Sequence, residues 1–247
     1  NHRIERNQIS GHRDGVYLEF ATGTLIRENL VKQNIRYGLH FMSSSNTQYH
    51  GNIFTENGAG VAVMYSRQIK MHDNKFTGNT GPAAYGILLK EVHESEIFNN
   101  EFKKNTVGIY MEGSNRSLFR SNDISENGWA LRIMGDCENN LFTQNNFVGN
   151  TFDVTTNSDH NWNSLNENYW SHYDGYDLNR DGYGDRPYRV VSLSSVILEK
   201  VDSSYILMNS FLFNLMDQVE RALPSLIPES MKDEKVLMTP AKVGVRL

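Results

Sequence analysis

Short runs of alternating apolar and polar residues recur along the first part of the chain. In the run Gly38-Leu39-His40-Phe41 the second and fourth residues are apolar, and runs of the same kind follow one another at steps of 22 to 26 residues. Alternation with a period of two is typical of a β-strand that has one buried face. The pattern therefore predicts one such strand in each repeat, at residues 15–18, 38–41, 60–63, 86–89, 108–111 and 130–133.

Asparagines mark the same repeat, and 26 of the 28 lie at or before Asn179. Asparagine tolerates a left-handed backbone, and its amide can bond the amides of neighbouring coils, so an asparagine is expected at a fixed turn of every coil. The motif Asn-x-apolar begins at Asn7, Asn29, Asn52, Asn74, Asn100, Asn122, Asn145 and Asn168. A second asparagine follows five positions later at Asn34, Asn57, Asn79, Asn105, Asn127 and Asn150.

A repeat of this length, with three short strands in each copy, predicts an all-β solenoid. We expect a right-handed parallel β-helix of about seven to eight coils of 22–26 residues, covering residues 1–170. Leucine-rich repeats have a similar period but need a leucine skeleton that this sequence lacks. A second inward column is predicted at Ile4, Ile26, Tyr49, Met71, Ile97, Phe119, Phe142 and Leu165. Residue 1 falls in mid-repeat without a polar cap, so we expect further coils to precede it.

An aromatic turn and a loop rich in aspartate and glycine, residues 171–191, are predicted to close the stack. Oxygen donors at loop positions 1, 3, 5 and 9, with glycine at position 6, are typical of the start of a calcium loop. Position 12 is a tyrosine where such loops have a bidentate glutamate, so a hydrogen-bonded cap is the alternative. The candidate calcium ligands are Asp177, Asn179, Asp181, Tyr183 and Asp185.

The apolar period becomes helical in residues 192–228, where apolar residues recur at steps of three and four. Such spacing predicts a short α-helical segment with an apolar stripe, and residues 229–247 are expected to form an extended tail. The stripe either packs on the solenoid or docks on a partner. The candidate docking residues are Phe211, Leu212, Leu215, Met216 and Val219.

Composition narrows the class of protein. The single cysteine excludes an internal disulfide framework, and the formal net charge of −5 argues against a nucleic-acid-binding protein. No apolar run approaches the length needed to span a bilayer.

Outward columns of the predicted stack suggest metal chemistry. Met42 and Met64 fall at equivalent positions of adjacent coils with His40 beside them, and His50 and His72 share another outward column. Thioether and imidazole ligands favour Cu(I) over ions that prefer oxygen. These five residues are the candidate copper ligands, and the alternative is an ordinary surface or a protein contact.

Carbohydrate chemistry is the rival function, because many parallel β-helices bind or cleave polysaccharides. Glycoside cleavage needs paired carboxylates that converge on one groove. The outward acids are scattered at Glu5, Glu19, Glu94, Glu96 and Glu112, so the sequence argues against such an enzyme and leaves a polysaccharide-binding or -cleaving protein as the alternative.

The closing segment carries a family resemblance. The asparagine repeat followed by Asn168-Tyr169-Trp170, Asp181-Gly182-Tyr183-Gly184-Asp185 and the predicted helical stretch 215–224 resembles the NosD family. NosD proteins are periplasmic β-helical proteins of nitrous oxide reductase maturation. The whole chain is similar to the C-terminal part of a longer family member.

The resemblance implies a non-enzymatic, periplasmic accessory protein with Cu(I) as a transient cargo. Its expected partners are an ABC transporter formed by the membrane subunit NosY and the ATPase NosF, the copper lipoprotein NosL and the reductase NosZ. The family offers no ligand motif that maps onto individual residues here, so the copper candidates rest on the outward columns alone.

Overall fold

The computed structural model describes residues 2–158, 160–192, 194–195 and 231–244. In these residues the chain winds into a parallel β-solenoid of about seven turns, which confirms the predicted fold class. The predicted helical segment lies almost entirely outside the described residues, and the docking residues Phe211, Leu212, Leu215, Met216 and Val219 lie wholly outside them.

Each coil contributes strands to three faces. The first face contains β1 (Arg3–Glu5), β4 (Leu25–Arg27), β7 (Ser45–His50), β12 (Glu96–Phe98), β15 (Leu118–Arg120), β18 (Glu138–Thr143) and β21 (Trp162–Asn166). The second face contains β2 (Gln8–Ser10), β5 (Leu30–Lys32), β8 (Ile53–Thr55), β10 (Lys75–Thr77), β13 (Glu101–Lys103), β16 (Asp123–Ser125), β19 (Asn146–Val148) and β22 (Tyr169–Trp170). The third face contains β3 (Asp14–Glu19), β6 (Tyr37–Met42), β11 (Tyr85–His93), β14 (Val107–Glu112), β17 (Trp129–Ile133) and β20 (Phe152–Thr155), and the long strand β9 (Ala59–His72) runs from the third face into the first.

The core consists of columns of apolar side chains that stack from coil to coil. On the second face the rings of Phe54, Phe76 and Phe102 stack with centroids 5.4 and 4.7 Å apart, and all three side chains are buried. The predicted inward column of the first face is in register, with Ile97 paired to Met71 and to Phe119. Because every coil buries the same positions, each coil completes the core of its neighbours.

Both predicted asparagine columns form hydrogen-bonded ladders inside the solenoid. In the first ladder the backbone N–H and the Nδ2 of each rung donate to Oδ1 of the next rung, as Asn52 does to Asn74 at 3.0 and 2.9 Å. The expected left-handed backbone belongs instead to the residue before each rung, such as Glu28 and Asp73 with φ of 55°. Asparagine is therefore required at the rungs for its amide and not for its backbone freedom.

The first ladder ends on the segment 231–244. The carboxylate of Asp233 accepts the backbone N–H and Nδ2 of Asn168 and the indole N–H of Trp170, each at 3.0 Å. Here β24 (Lys232–Asp233) pairs in parallel with β21 and antiparallel with β23 (Tyr188–Arg189). An acceptor-only carboxylate ends a donor-to-acceptor relay without leaving a donor unpaired. Residues predicted as an extended tail therefore cover the last coil.

Candidate metal-binding surface

The candidate ligands Met42 and Met64 are direct neighbours on the third face. They are paired residues of β6 and β9, and His40 lies two residues before Met42 on the same side of β6. Paired residues of adjacent parallel strands lie about 4.8 Å apart, a distance that long thioether side chains can close around one ion. We call His40, Met42 and Met64 the thioether site.

His40 points outward from its strand but is enclosed by two tyrosines. The rings of Tyr17 and Tyr37 lie with centroids 5.0 and 4.9 Å from the imidazole, and only 8% of His40 is exposed. Its Nε2 is buried and has no hydrogen-bond partner in the structure. Burial lowers the pKa of His40, which favours the neutral imidazole that a metal needs. The alternation of apolar and polar residues predicts an open surface position for His40, because such a pattern carries no information about side chains on adjacent coils.

Tyr17 connects the thioether site to an acidic residue and was not identified from the sequence. Its hydroxyl donates to Glu19 Oε2 at 2.9 Å and lies 4.0 Å from the sulfur of Met42. The hydrogen bond to Glu19 raises the pKa of Tyr17, so the phenol stays protonated at neutral pH. The sequence signal that could have identified Tyr17 is its position in the repeat, which places it in the same outward column as His40.

The second candidate pair, His50 and His72, is stacked ring on ring. Their centroids are 5.0 Å apart with an interplanar angle of 6°, and the ring of Phe98 continues the stack 4.8 Å beyond His72. Imidazole lone pairs lie in the ring plane, so two parallel rings cannot both direct a nitrogen at the same ion without rotating. His72 Nδ1 is also engaged with Asp73 Oδ2 at 2.7 Å. This column is therefore the weaker candidate.

The candidate calcium ligands bond mainly to backbone N–H groups within their own loop. Asp177 accepts from Asp181 and Gly182, at 3.2 and 2.9 Å, and Asp185 accepts from Leu178 at 2.7 Å. Asp181 accepts from Tyr183 at 2.9 Å. Asn179 Nδ2 also donates to Asp181 Oδ2 at 3.1 Å, so Asx-type turns order the loop and five of its carboxylate oxygens already act as acceptors.

Other metal chemistry finds little support in the described residues. No group of three or more His, Cys, Asp or Glu side chains among them is arranged to hold a metal ion. Burial raises the pKa of the Cys137 thiol to about 12, so the free thiol stays protonated at neutral pH. A site built on methionine does not depend on such a group, because methionine is not one of these four residue types. Its thioether sulfur also binds a metal without losing a proton.

A third cluster joins the closing turn to the last coils. The buried carboxylate of Asp153 accepts from the hydroxyl of Tyr188 at 2.8 Å and bonds His172 Nδ1 at 3.1 Å through the same oxygen. The bond to Asp153 raises the pKa of His172. This cluster fixes residues 172 and 188 against β20.

The stacked coils define the structural class, a parallel β-helix with internal polar ladders. The chain is similar to the mannuronan C-5 epimerase AlgE6 A-module of Azotobacter vinelandii, with a TM-score of 0.60, 16% identity and coverage of 68% of this chain and 53% of that structure. It is also similar to tailspike protein 2 of bacteriophage CBA120, with a TM-score of 0.59, 14% identity and coverage of 67% and 28%. At such identities these likenesses show the fold alone.

Sequence comparison gives the family. A family model described as "Periplasmic copper-binding protein (NosD)" matches residues 1–175, and the chain belongs to this family. It is 26% identical over 195 residues to a probable ABC transporter binding protein NosD of Stutzerimonas stutzeri, covering 72% of this chain and 44% of the relative. A protein of the same description from Pseudomonas aeruginosa is 26% identical over 171 residues, with coverage of 62% and 40%. The chain thus spans less than half the length of these curated relatives.

The described residues also contain no helix that is long and apolar enough to cross a bilayer.

Proposed function

We propose that this chain is part of a non-enzymatic periplasmic accessory protein that holds Cu(I) for the assembly of the copper sites of nitrous oxide reductase. The observation that carries the proposal is the thioether site, in which Met42 and Met64 pair in register beside a buried histidine. Membership of a family described as periplasmic and copper-binding supports the same ligand and compartment.

The chemistry of the thioether site suits a transient cargo. Two thioethers and one imidazole form a soft, neutral ligand set, which favours Cu(I) over Ca²⁺ or Mg²⁺. Neither sulfur must lose a proton, and the lowered pKa of His40 keeps its Nε2 available as a ligand. Binding and release are then ligand exchanges at copper that leave its oxidation state unchanged.

The proposed partners are those of a transporter-coupled copper pathway. Both curated relatives are named as probable ABC transporter binding proteins. We propose that the segment containing Phe211, Leu212, Leu215, Met216 and Val219 docks on the membrane subunit NosY, which acts with the ATPase NosF. The lipoprotein NosL would supply copper, and the reductase NosZ would receive it.

Two further metal proposals are secondary to the thioether site. His50 and His72 would bind copper only if one ring rotated out of the stack. The loop containing Asp177, Asn179, Asp181, Tyr183 and Asp185 would bind Ca²⁺ as a structural ion if its carboxylates exchanged backbone N–H groups for the metal.

Anaerobic titration of the whole chain with Cu(I) against a chromophoric chelator tests the thioether site. We expect the double variant Met42→Leu/Met64→Leu to bind Cu(I) at least about 100-fold more weakly, because leucine keeps the volume but removes both sulfurs. Met134→Leu is the matched control, since Met134 occupies the same outward column two coils beyond Lys90. Wild-type affinity in the double variant would refute the site.

Docking of the segment 211–219 is best tested by substitution in the full chain. Truncation before this segment would also delete Met231 and Val236, which are buried in the solenoid core. We expect Leu212→Asn/Leu215→Asn/Val219→Asn to abolish co-purification with NosY and to leave the solenoid folded. Retained co-purification would refute this docking role.

A further inference from the structure

A polar groove of about 300 Å³ crosses three coils on the first face. Its sides are a row of corner residues with positive φ and a row of outward strand residues. The corner row is Asn46, Gln68 and Glu94, and the strand row is Gln48, Lys70 and Glu96. Thr47 and Ile69, whose side chains are buried, form the floor. We call the six residues of the two rows the polar groove.

The strand row is held in line by the sheet. Gln48 pairs with Lys70, and Lys70 pairs with Glu96, so the row advances by roughly 4.8 Å per coil along the solenoid. Leu25 and Leu118 continue the same row on the two flanking coils. The polar residues are therefore confined to three consecutive coils, with an apolar side chain at each end.

The amides of the polar groove are not used inside the protein. Whereas the ladder asparagines bond from coil to coil, the side chains of Asn46, Gln48 and Gln68 are exposed and make no hydrogen bond to any residue that the structure describes. Each amide presents a donor and an acceptor side by side. Sugar hydroxyl and acetamido groups also both donate and accept, so they are matched partners for such a row.

The charges of the polar groove are balanced by ion pairs. Lys70 Nζ lies 3.6 Å from Glu96 Oε1, and Arg116 Nη2 lies 3.4 Å from Glu94 Oε1. A polyanion such as a nucleic acid would require an excess of basic residues, so the balance favours a neutral ligand. Glycoside cleavage requires one protonated carboxylic acid beside a second carboxylate. Because Glu94 and Glu96 each face a base, the groove is suited to binding and not to cleavage.

The spacing of the coils distinguishes between kinds of polymer. An extended polypeptide advances by roughly 3.3 Å per residue, which does not match the coil spacing of roughly 4.8 Å. A DNA strand in a duplex advances by roughly 3.4 Å per nucleotide, which does not match it either. A β-1,4-linked chain of pyranose rings advances by nearly one coil spacing per ring. Such a chain can therefore place successive rings beside successive coils.

We infer that the polar groove binds a neutral β-1,4-linked oligosaccharide, with one sugar ring beside each of the three coils, and does not cleave it. The amides bond the hydroxyl or acetamido groups of the rings, and the paired charges bond further hydroxyls. This function is separate from the proposed copper function, because the residues that line the groove differ from those of the thioether site.

Calorimetric titration of the whole chain with hexamers of one linkage tests the inference. Chitohexaose and cellohexaose are neutral and differ in the acetamido group, and the β-1,4-linked hexamer of glucuronate is anionic. The test variant Gln48→Ala/Gln68→Gly removes two amides and places glycine at a positive φ that it tolerates. Gln8→Ala/Gln144→Gly is the matched control, because both residues are exposed amides outside the groove and Gln144 has φ of 55°.

We expect wild type and control to bind at least one neutral hexamer more tightly than the anionic hexamer, and the test variant to bind it at least about tenfold more weakly. Nuclear magnetic resonance of isotope-labelled wild type keeps the inference testable if the test variant does not fold. The bound sugar should shift the side-chain amide signals of Gln48 and Gln68 but not that of Gln144.

Four results would overturn the inference. These are no binding of either neutral hexamer, equal binding by wild type and test variant, tighter binding of the anionic hexamer, and release of shorter sugars during incubation. Binding of chitohexaose alone would support it and assign the contacts to acetamido groups, whereas binding of cellohexaose would support it and assign them to hydroxyl groups.

Discussion

Replacing one rung in the middle of the asparagine ladder tests how the solenoid is held together. Asn100 is fully buried, and its Oδ1 accepts the backbone N–H and Nδ2 of Asn74 at 3.1 and 3.0 Å. Its Nδ2 donates to the carbonyls of Met71 and Phe98 and to Oδ1 of Asn122, at 2.9 to 3.0 Å. Asn100→Ala removes both functions, whereas Asn100→Asp keeps the acceptor and removes only the donors.

The geometry predicts that aspartate is worse than alanine at this position. Asn100→Ala leaves the buried N–H of Asn74 without its acceptor, and with the other lost bonds it should cost about 3 kcal/mol. Asn100→Asp points a carboxylate at three acceptors in a buried position without a counter-ion. An uncompensated buried charge of this kind should cost about 3–5 kcal/mol at neutral pH.

Urea unfolding followed by circular dichroism measures both free energies of unfolding. Protonation removes the repulsion in Asn100→Asp, and the folded state raises the pKa of that carboxyl above its unfolded value. The variant should therefore be most stable at low pH and lose stability as the pH rises through the folded value. The control is Gln48→Ala, an exposed amide on the first face. A stability of Asn100→Asp equal to wild type at neutral pH would refute the ladder as a directional relay.

Three further predictions concern the closing end of the solenoid. The pKa of His172 is raised by its bond to Asp153, so this pair stabilises the fold below the ordinary histidine pKa and loses that contribution as the pH rises through the raised value. The variant His172→Gln should therefore flatten the pH dependence of the urea midpoint, and an unchanged pH profile would contradict this prediction. Asp233→Ala removes the acceptor of the Trp170 indole and should cost about 2–4 kcal/mol in urea unfolding, whereas a loss below 1 kcal/mol would show that the cap is dispensable. Millimolar Ca²⁺ should raise the melting temperature of wild type more than that of Asp177→Asn, and an equal rise in both would remove the proposed calcium site.

The coil was predictable from the sequence because its determinants repeat. Each rung must be an amide and each inward position apolar, so spacing alone aligned Asn52, Asn74 and Asn100 in one ladder. The final rung, Asp233, could not be found in this way. It lies 65 residues after Asn168, outside the repeat, and it is an acid because the relay ends there.

The surroundings of the candidate site were less accessible to sequence reasoning. Alternation placed His40 on the outside, but its burial depends on Tyr17 and Tyr37, which reach it from an adjacent coil and from its own strand.

X-ray absorption at the copper edge of the Cu(I)-loaded chain tests the copper assignment most directly. The thioether site predicts about two sulfur scatterers and one imidazole per copper in wild type, with loss of the sulfur shell in Met42→Leu/Met64→Leu. A wild-type spectrum with only nitrogen or oxygen neighbours, or a sulfur shell that persists in the double variant, would contradict the account.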